Sequence, residues 1–213
     1  IEIDNEEVPI MDGSSKDFLK MFKKIDLKNQ DKKRKYLKIT NRIELVKGEK
    51  KISIDPNNSS LEVNFQLDYE NKLIGKQKNV IDFQKDNLKD VYSSRTFCLF
   101  EDIEKIKKIG LAKGGSLNNA IVVNKDKVMN VEGLRNQKEF VNHKILDLAG
   151  DFLLSGYRVL GKVTCYQGGH ELTNLFLRKV FNTLGNFSII ESSDLKISKN
   201  FHSKELEKIA VNA

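Results

Sequence analysis

Three side chains with metal-binding or acid–base chemistry recur at four-residue intervals in the second half of the chain. His143, Asp147 and Asp151 occupy positions i, i+4 and i+8, which lie along one face of an α-helix. An imidazole nitrogen and a carboxylate oxygen can both bind zinc, but a catalytic zinc site needs a third protein ligand and an open position for water. Spacing alone leaves a metal site and a structural or solvated pair as alternatives, and it favours the second.

A further candidate, His170, follows two glycines. Gly168 and Gly169 fall between a predicted strand and a predicted helix, where they could bring the backbone close to a ligand and hold an imidazole at the helix start. They could also form only a tight turn, which the pattern alone favours. His202 lies in a polar tail and is left out of the site.

Four elements must position these side chains. Periodicity predicts a long helix at 136–155, a strand at 159–166, a helix at 169–184 that ends before a glycine, and a strand at 187–191. Upstream, we expect a strand end at 1–10, a helix at 16–25 and a polar boundary at 26–34.

Alternating apolar and polar residues predict a sheet with one solvent-facing side in the first half of the chain. Its strands are expected at 36–46, 51–54 and 61–67. A helix at 101–109 and a hairpin whose strands flank residues 124–127 follow. Strands come first and helices later, so the predicted class is α+β.

The composition excludes several classes of protein. With 39% hydrophobic residues, 31% charged residues and two prolines, it is typical of a globular chain. No run approaches the roughly eighteen apolar residues of a membrane helix. The cysteines, Cys98 and Cys165, lie far apart without a C-x-x-C pair, which argues against a thiolate zinc site and a disulfide framework and favours a reducing, cytoplasmic setting.

The net charge of +7 favours an anionic partner such as phosphate groups, nucleic acid or a membrane surface. The lysines are scattered, however, and the basic cluster at 31–36 is better explained as a solvated linker. No basic motif interleaved with aromatic residues is present, so nucleic acid is not expected as a partner. The chain starts at Ile1 without an initiator Met, which predicts that it is cut from something longer.

Several motifs together resemble one family in order and spacing. They are E-V-P-I-M-D-G-S at 7–14, R-T-F at 95–97, G-G-S-L-N-N-A-I-V-V at 114–123, G-L-R at 133–135, E-F-V-N-H-K-I-L-D at 139–147 and G-H at 169–170. From residue 1 to about 185 the chain closely resembles the LpxC family, the UDP-3-O-acyl-N-acetylglucosamine deacetylases of lipid A synthesis.

The resemblance assigns roles to residues on the predicted long helix. It makes His143 and Asp147 two of three ligands of a Zn²⁺ cofactor. Lys144, which points off their stripe, would meet the substrate's diphosphate. The third ligand and the glutamate general base belong to a T-V-E-H-L segment that the family has upstream of the part matching residues 1–14. The implied reaction is metal-assisted amide hydrolysis.

The resemblance also implies a set of groups around the reacting amide. His170 would act as general acid toward the leaving amine or stabilise the oxyanion, and Asp151 would orient it. Thr96 would support the tetrahedral oxyanion. Phe97 would pack on the sugar ring.

The implied fold is α+β, in two-layer sandwich domains with the active site between them. Residues 1–30 would be the remnant of an incomplete N-terminal domain, residues 34–195 a complete C-terminal domain, and residues 196–213 a polar tail. An inserted element is expected around 98–132, where the family has an apolar passage for the acyl chain. Seven residues could line that passage or belong to ordinary core: Ile103, Ile106, Ile109, Leu111, Ile121, Val122 and Val123.

Two departures from the family pattern are visible. Residues 69–75 read Y-E-N-K-L-I-G where the family often has F-x-H-P-x-I-G, which leaves the contacts near the uridine open. Thr173 and Gly168 replace common family residues beside His170.

The implied function is removal of the N-acetyl group from UDP-3-O-acyl-N-acetylglucosamine, the committed step of lipid A biosynthesis. The expected enzyme is cytoplasmic and monomeric, has no transmembrane segment and contacts the inner membrane peripherally. The alternatives are a non-catalytic relative and a module that binds phosphate or nucleic acid. A missing upstream segment would leave the chain as given inactive.

Overall fold

The computed structural model of the protein describes residues 2–26 and 28–194. These residues form an α+β fold, as predicted. They contain ten strands, in chain order: β1 (Lys35–Ile39), β2 (Ile43–Lys47), β3 (Lys50–Asp55), β4 (Leu61–Asp68), β5 (Lys76–Asp82), β6 (Phe97–Leu99), β7 (Ile121–Asn124), β8 (Lys127–Val128), β9 (Arg158–Tyr166) and β10 (Phe187–Glu191). The same residues contain five α-helices: α1 (Lys16–Lys23), α2 (Lys89–Ser93), α3 (Ile103–Lys108), α4 (Glu139–Leu153) and α5 (His170–Asn182).

Strand β9 organises the larger sheet. Its first residues pair in parallel with β1, and its later residues pair antiparallel with β3 and parallel with β4. Beyond these neighbours, β10 joins β1, β2 joins β3 and β5 joins β4. The carboxyl end of β9 is therefore bonded along both edges, and this is the end from which the chain continues into α5.

One face of this sheet is covered by helices and the other faces solvent, as predicted. In β9, Val163 and Cys165 are buried whereas the residues on either side of Val163 are exposed. Helix α4 packs on β4, β5 and β9, and α5 packs on β2 and β3. The helices meet at Phe152 and Phe176, whose ring centroids lie 6.3 Å apart. Burying one such ring contributes roughly 1.5–3 kcal/mol, so this contact helps to fix α4 against α5.

The smaller sheet is formed by β6, β7 and β8, and it stands where the inserted element is expected. Strands β6 and β7 are parallel, and β7 and β8 form the antiparallel hairpin predicted around residues 124–127. A short 3-10 turn (Phe100–Asp102) and α3 connect β6 to β7. Within the described ranges, none of the helices has both the length and the apolar character needed to cross a membrane.

Two sequence predictions for the strands are wrong. Residues 2–10 form no strand. The strand predicted at 36–46 is divided into β1 and β2, because Thr40 and Asn41 turn away to donate hydrogen bonds to the Gly185 carbonyl, at 2.8 and 3.1 Å. Strand β5, with its exposed lysines, and the short α2 and β6 were not predicted.

The presence of these helices was predicted more accurately than the residues at which they begin and end. Helix α4 begins at Glu139 rather than 136, α1 ends at Lys23 rather than 25, and α3 is shorter than the predicted 101–109. The domain boundaries at 30 and 34 stay a prediction. The tail at 196–213, with His202, lies outside the described residues.

Candidate active site

The predicted stripe is present on α4. Phe140 and Leu148 on this helix are buried in the core. His143 lies on the same helix and is also buried, with 7% of its surface exposed. Asp147 and Asp151 lie half-buried farther along the same face. The stripe therefore runs from the interior of the protein toward its surface.

His143 is held by a backbone carbonyl. Its Nδ1 lies 3.0 Å from the Ser94 carbonyl oxygen, and because a carbonyl only accepts hydrogen bonds, Nδ1 carries the ring proton. Burial lowers the pKa of the His143 imidazole, although Asp147 and the Ser94 carbonyl act in the opposite direction. The neutral ring then presents the lone pair of Nε2 to Asp147 Oδ1, 3.2 Å away. A cation shared by two such acceptors would stabilise this arrangement.

Zinc suits this pair of acceptors. Two ligand atoms at about 2.0–2.1 Å from a tetrahedral zinc lie roughly 3.3 Å apart, close to the separation of His143 Nε2 and Asp147 Oδ1. A hydrogen bond from Nδ1 to a carbonyl is also the usual support behind a ligating imidazole. Within residues 2–26 and 28–194, however, no three His, Cys, Asp or Glu side chains are grouped to hold a metal ion. The described residues could supply two ligands of such a site, His143 and Asp147.

His170 is held by a carboxylate. Its Nδ1 lies 3.0 Å from both carboxylate oxygens of Asp151, the contact that the family resemblance implies. The hydrogen bond to Asp151 raises the pKa of His170, outweighing partial burial, and Asp147 raises it further. Nε2 lies 3.9 Å from Asp147 Oδ2, and 68% of the side chain is exposed. The cationic form of His170 is thus stabilised beside the same carboxylate that faces His143.

The turn before His170 depends on one of its two glycines. Gln167 has a φ of 52°, and a Cβ added at Gly168 would lie 2.3 Å from the Cys165 sulfur. A Cβ at Gly169, the N-cap of α5, would meet nothing within 4 Å. Gly168 therefore lets the chain pass over the end of β9 and places His170 at the first position of α5, as predicted.

Lys144 corrects one expectation. The sequence placed it off the stripe, but its side chain curves back so that Nζ lies 3.0 Å from Asp147 Oδ2. The ammonium also lies 5.9 Å from the centroid of the Phe97 ring. Phe97 packs edge-on against Phe140, with centroids 4.9 Å apart, so Lys144 and Phe97 both border the site.

Thr96 is positioned by its backbone. Its N–H donates to the Gly13 carbonyl and its carbonyl accepts from the Ile121 N–H, both at 2.8 Å. No hydrogen bond among the described residues joins it to either histidine. It follows Ser94 by two residues, which places it on the segment that holds His143.

Sequence reasoning missed the groups that hold that segment. Neither the Ser94 carbonyl nor the buried ion pair between Arg95 and Glu139 was predicted. The one available signal was Glu139, an acidic residue four positions before His143 and therefore one helical turn away on the same face.

A cavity of about 1420 Å³ opens beside Thr96 and Phe97, between the smaller sheet, α3 and residues 2–10. The seven apolar residues predicted here divide into three groups. Ile103, Ile106, Leu111 and Val122 line the cavity, whereas Ile121 and Val123 are fully buried core and Ile109 is exposed.

Comparison with known proteins shows the family to which the sequence is similar. Residues 1–182 match the family described as "LpxC: UDP-3-O-acyl N-acetylglycosamine deacetylase". The UDP-3-O-acyl-N-acetylglucosamine deacetylase of Helicobacter pylori (strain J99) is 38% identical over 195 residues, covering 91% of this chain and 66% of that protein. The proteins of the same name from Syntrophotalea carbinolica and Aliarcobacter butzleri are 38% and 36% identical, with 63% and 69% of their lengths covered.

The chain therefore spans slightly less than two thirds of the Helicobacter pylori relative and, by its sequence, belongs to the LpxC family.

Proposed function

We propose that the protein to which this chain belongs is a zinc-dependent hydrolase that removes the N-acetyl group from UDP-3-O-acyl-N-acetylglucosamine in lipid A biosynthesis. The observation that carries the proposal is the arrangement around Asp147, where a buried His143 and an exposed His170 face one carboxylate. Metal-assisted amide hydrolysis needs both a metal ligand set and a proton donor. The names of the relatives supply the substrate.

In this proposal His143 and Asp147 hold the zinc. The third ligand and the general base come from outside the described residues. Zinc would act there as a Lewis acid on the acetyl carbonyl and would supply a nucleophilic water at neutral pH. The Ser94 carbonyl would keep the His143 proton on Nδ1 and so leave Nε2 available to the metal.

His170 is the proposed proton donor. Its raised pKa favours the protonated ring, and its Nε2 lies 3.9 Å from Asp147 Oδ2 while Nδ1 is hydrogen-bonded to Asp151. From that position Nε2–H would stabilise the developing oxyanion or pass its proton to the leaving amine. Thr96 would add a donor to the oxyanion.

Lys144 and Phe97 are proposed to bind the rest of the head group. The Lys144 ammonium would meet the diphosphate, and the Phe97 ring would pack on the sugar. The cavity between the smaller sheet and residues 2–10 would take the acyl chain, because three isoleucine and leucine side chains of the connection line it.

The proposal extends to peripheral contact with an anionic membrane surface. Residues 105–117 include four lysines and no acidic residue, and the side chains of Ile109, Leu111 and Leu117 are exposed. Such a segment suits the boundary between lipid head groups and acyl chains. Sedimentation with anionic lipid vesicles tests this part. The cytoplasmic location and the monomeric state stay predictions.

Acetate release from UDP-3-O-acyl-N-acetylglucosamine by the full-length gene product is the decisive measurement. We expect turnover that a chelator removes and added zinc restores. A folded, zinc-loaded protein without turnover would contradict the enzymatic proposal and leave a non-catalytic relative.

A further inference from the structure

A buried ion pair lies one helical turn before His143. The side chains of Arg95 and Glu139 are 1% and 0% exposed, and Arg95 Nε donates to Glu139 Oε1 at 2.9 Å. Arg95 Nη2 donates to Glu139 Oε2 at 3.3 Å and to the Gly133 carbonyl at 2.6 Å. Nη1 binds Glu132. Both charges are thus paired and hydrogen-bonded.

Glu139 also accepts hydrogen bonds from backbone N–H groups. Glu139 Oε1 also accepts from the backbone N–H of Arg95, at 3.1 Å, and Oε2 accepts from the backbone N–H of Arg135. Glu139 is the first residue of α4, whose next turn carries His143. A single carboxylate therefore fastens the peptide that follows Ser94 to the helix that carries the imidazole.

The same peptide group accepts the hydrogen bond from His143. The Ser94 carbonyl, which accepts from His143 Nδ1 at 3.0 Å, belongs to the same peptide group as the Arg95 N–H bound by Glu139. Because a peptide group is planar, fixing its N–H fixes the direction of its carbonyl. Rotation of this peptide would break both bonds together.

Stability alone does not explain a pair of this kind. Replacing a buried ion pair by apolar residues of similar volume is often neutral or stabilising, whereas removing one partner is strongly destabilising. We infer that Arg95 and Glu139 are positioning residues, which orient His143 for metal binding through the Ser94–Arg95 peptide. The inference deepens the proposed function, on which the metal-binding part rests.

The test uses the full-length protein with both charges removed together, as Arg95→Met/Glu139→Leu. The control is Arg42→Met/Asp55→Leu, which likewise removes both charges of an arginine–carboxylate pair, here an exposed one on the larger sheet, with Nη1 and Oδ2 2.6 Å apart. Two quantities are measured: zinc affinity by competition with a chelator, and solvent exchange of the His143 Nδ1 proton by NMR of protein labelled with ¹⁵N-histidine.

We expect the Arg95/Glu139 variant to bind zinc about 10- to 100-fold more weakly, the usual cost of losing a group behind a metal ligand. Its Nδ1 proton should exchange faster while the backbone amides of α4 stay protected. The control should change neither quantity. If the double variant does not fold, Arg95→Lys replaces it, since lysine keeps the charge but cannot form the fork of hydrogen bonds.

A folded double variant with unchanged zinc affinity and an equally protected Nδ1 proton would overturn the inference. The exchange measurement needs neither substrate nor metal. Absence of turnover, or of zinc binding in the unmodified protein, would therefore contradict the proposed function without deciding the positioning role, which the exchange rates decide separately.

Discussion

The two histidines around Asp147 occupy contrasting parts of the molecule. His143 lies inside the core, bonded to a backbone carbonyl, and burial lowers its pKa. His170 lies largely in solvent, bonded to the Asp151 carboxylate, which raises its pKa. For the same type of side chain, the neutral form is thereby favoured at one position and the cationic form at the other. Opposed environments of this kind assign separate roles to groups of one chemical type.

Removing His143 should have the largest effect. His143→Ala takes away one of the two proposed ligands, so zinc affinity should fall by more than about 100-fold, beyond the cost of losing a supporting group. Acetate release should disappear with it. Zinc content and activity of the full-length protein check this. His202→Ala is the control, because the sequence analysis gives that histidine no role in the site, and equal zinc content in the two variants would contradict the ligand role.

Removing His170 should cost less. His170→Ala should lower kcat roughly 100- to 10,000-fold, the usual contribution of a positioned acid or base, while zinc affinity stays near that of the unmodified protein. Steady-state kinetics and metal titration measure the two effects. A parallel loss of zinc would show that the two histidines do not have separate roles.

The charge on His170 gives a pH dependence with a defined sign. Its pKa is raised, so the stabilising contact with Asp151 is present at low pH and is lost as pH rises through the folded-state pKa. A step that needs protonated His170 should be lost over the same range. Asp151→Asn should move both changes to lower pH. NMR titration of His170 and the pH profile of kcat check this, and an unshifted titration would refute it.

A smaller effect is expected at the turn that carries His170. Gly168→Ala forces a Cβ against the Cys165 sulfur, 2.3 Å away, which should cost about 1–3 kcal/mol of unfolding free energy. In a Cys165→Ala background most of that cost should vanish, giving a measurable coupling energy. Gly169→Ala, where the added Cβ meets nothing within 4 Å, is the control. Denaturant unfolding that gave equal costs in both backgrounds would exclude this contact.

The smallest change is expected in the reactivity of Cys165. Burial raises the pKa of its thiol to about 12, and the thiolate is the reactive form. Iodoacetamide at pH 8 should leave Cys165 unmodified in the folded protein and label it after unfolding, as mass spectrometry of digests would show. Faster labelling in Gly168→Ala would indicate that the turn opens. Rapid labelling of the unmodified protein would contradict the packing of this turn.

Sequence periodicity predicted the elements that carry the site better than the sheet around them. Helix α4, strand β9 and helix α5 each combine strong periodicity with a clear boundary, such as the glycines before His170. Strand β5 escaped prediction because Lys76 and Lys78 are exposed on its outer face and its sequence is mostly polar. It is a strand because β4 offers it a partner, and pairing partners are not visible in local sequence.

The parts of the site that depend on the type and spacing of side chains could be predicted from the sequence. The spacing of the stripe on α4 and the glycine–histidine turn were read from the sequence, and family resemblance paired His170 with Asp151. The contact of Lys144 with Asp147 was not predicted. The long, flexible lysine side chain can bend toward a nearby carboxylate, so the direction of its Cβ does not determine where its ammonium lies.

The bond between the Ser94 carbonyl and His143 has a consequence for genetics. Every amino acid supplies the same carbonyl, so no substitution at position 94 deletes the acceptor. A mutational scan measures only the effect of changing each side chain. It would therefore show no loss at Ser94, whose backbone carbonyl makes the bond, and would show the loss at Arg95 and Glu139, which hold that peptide in place.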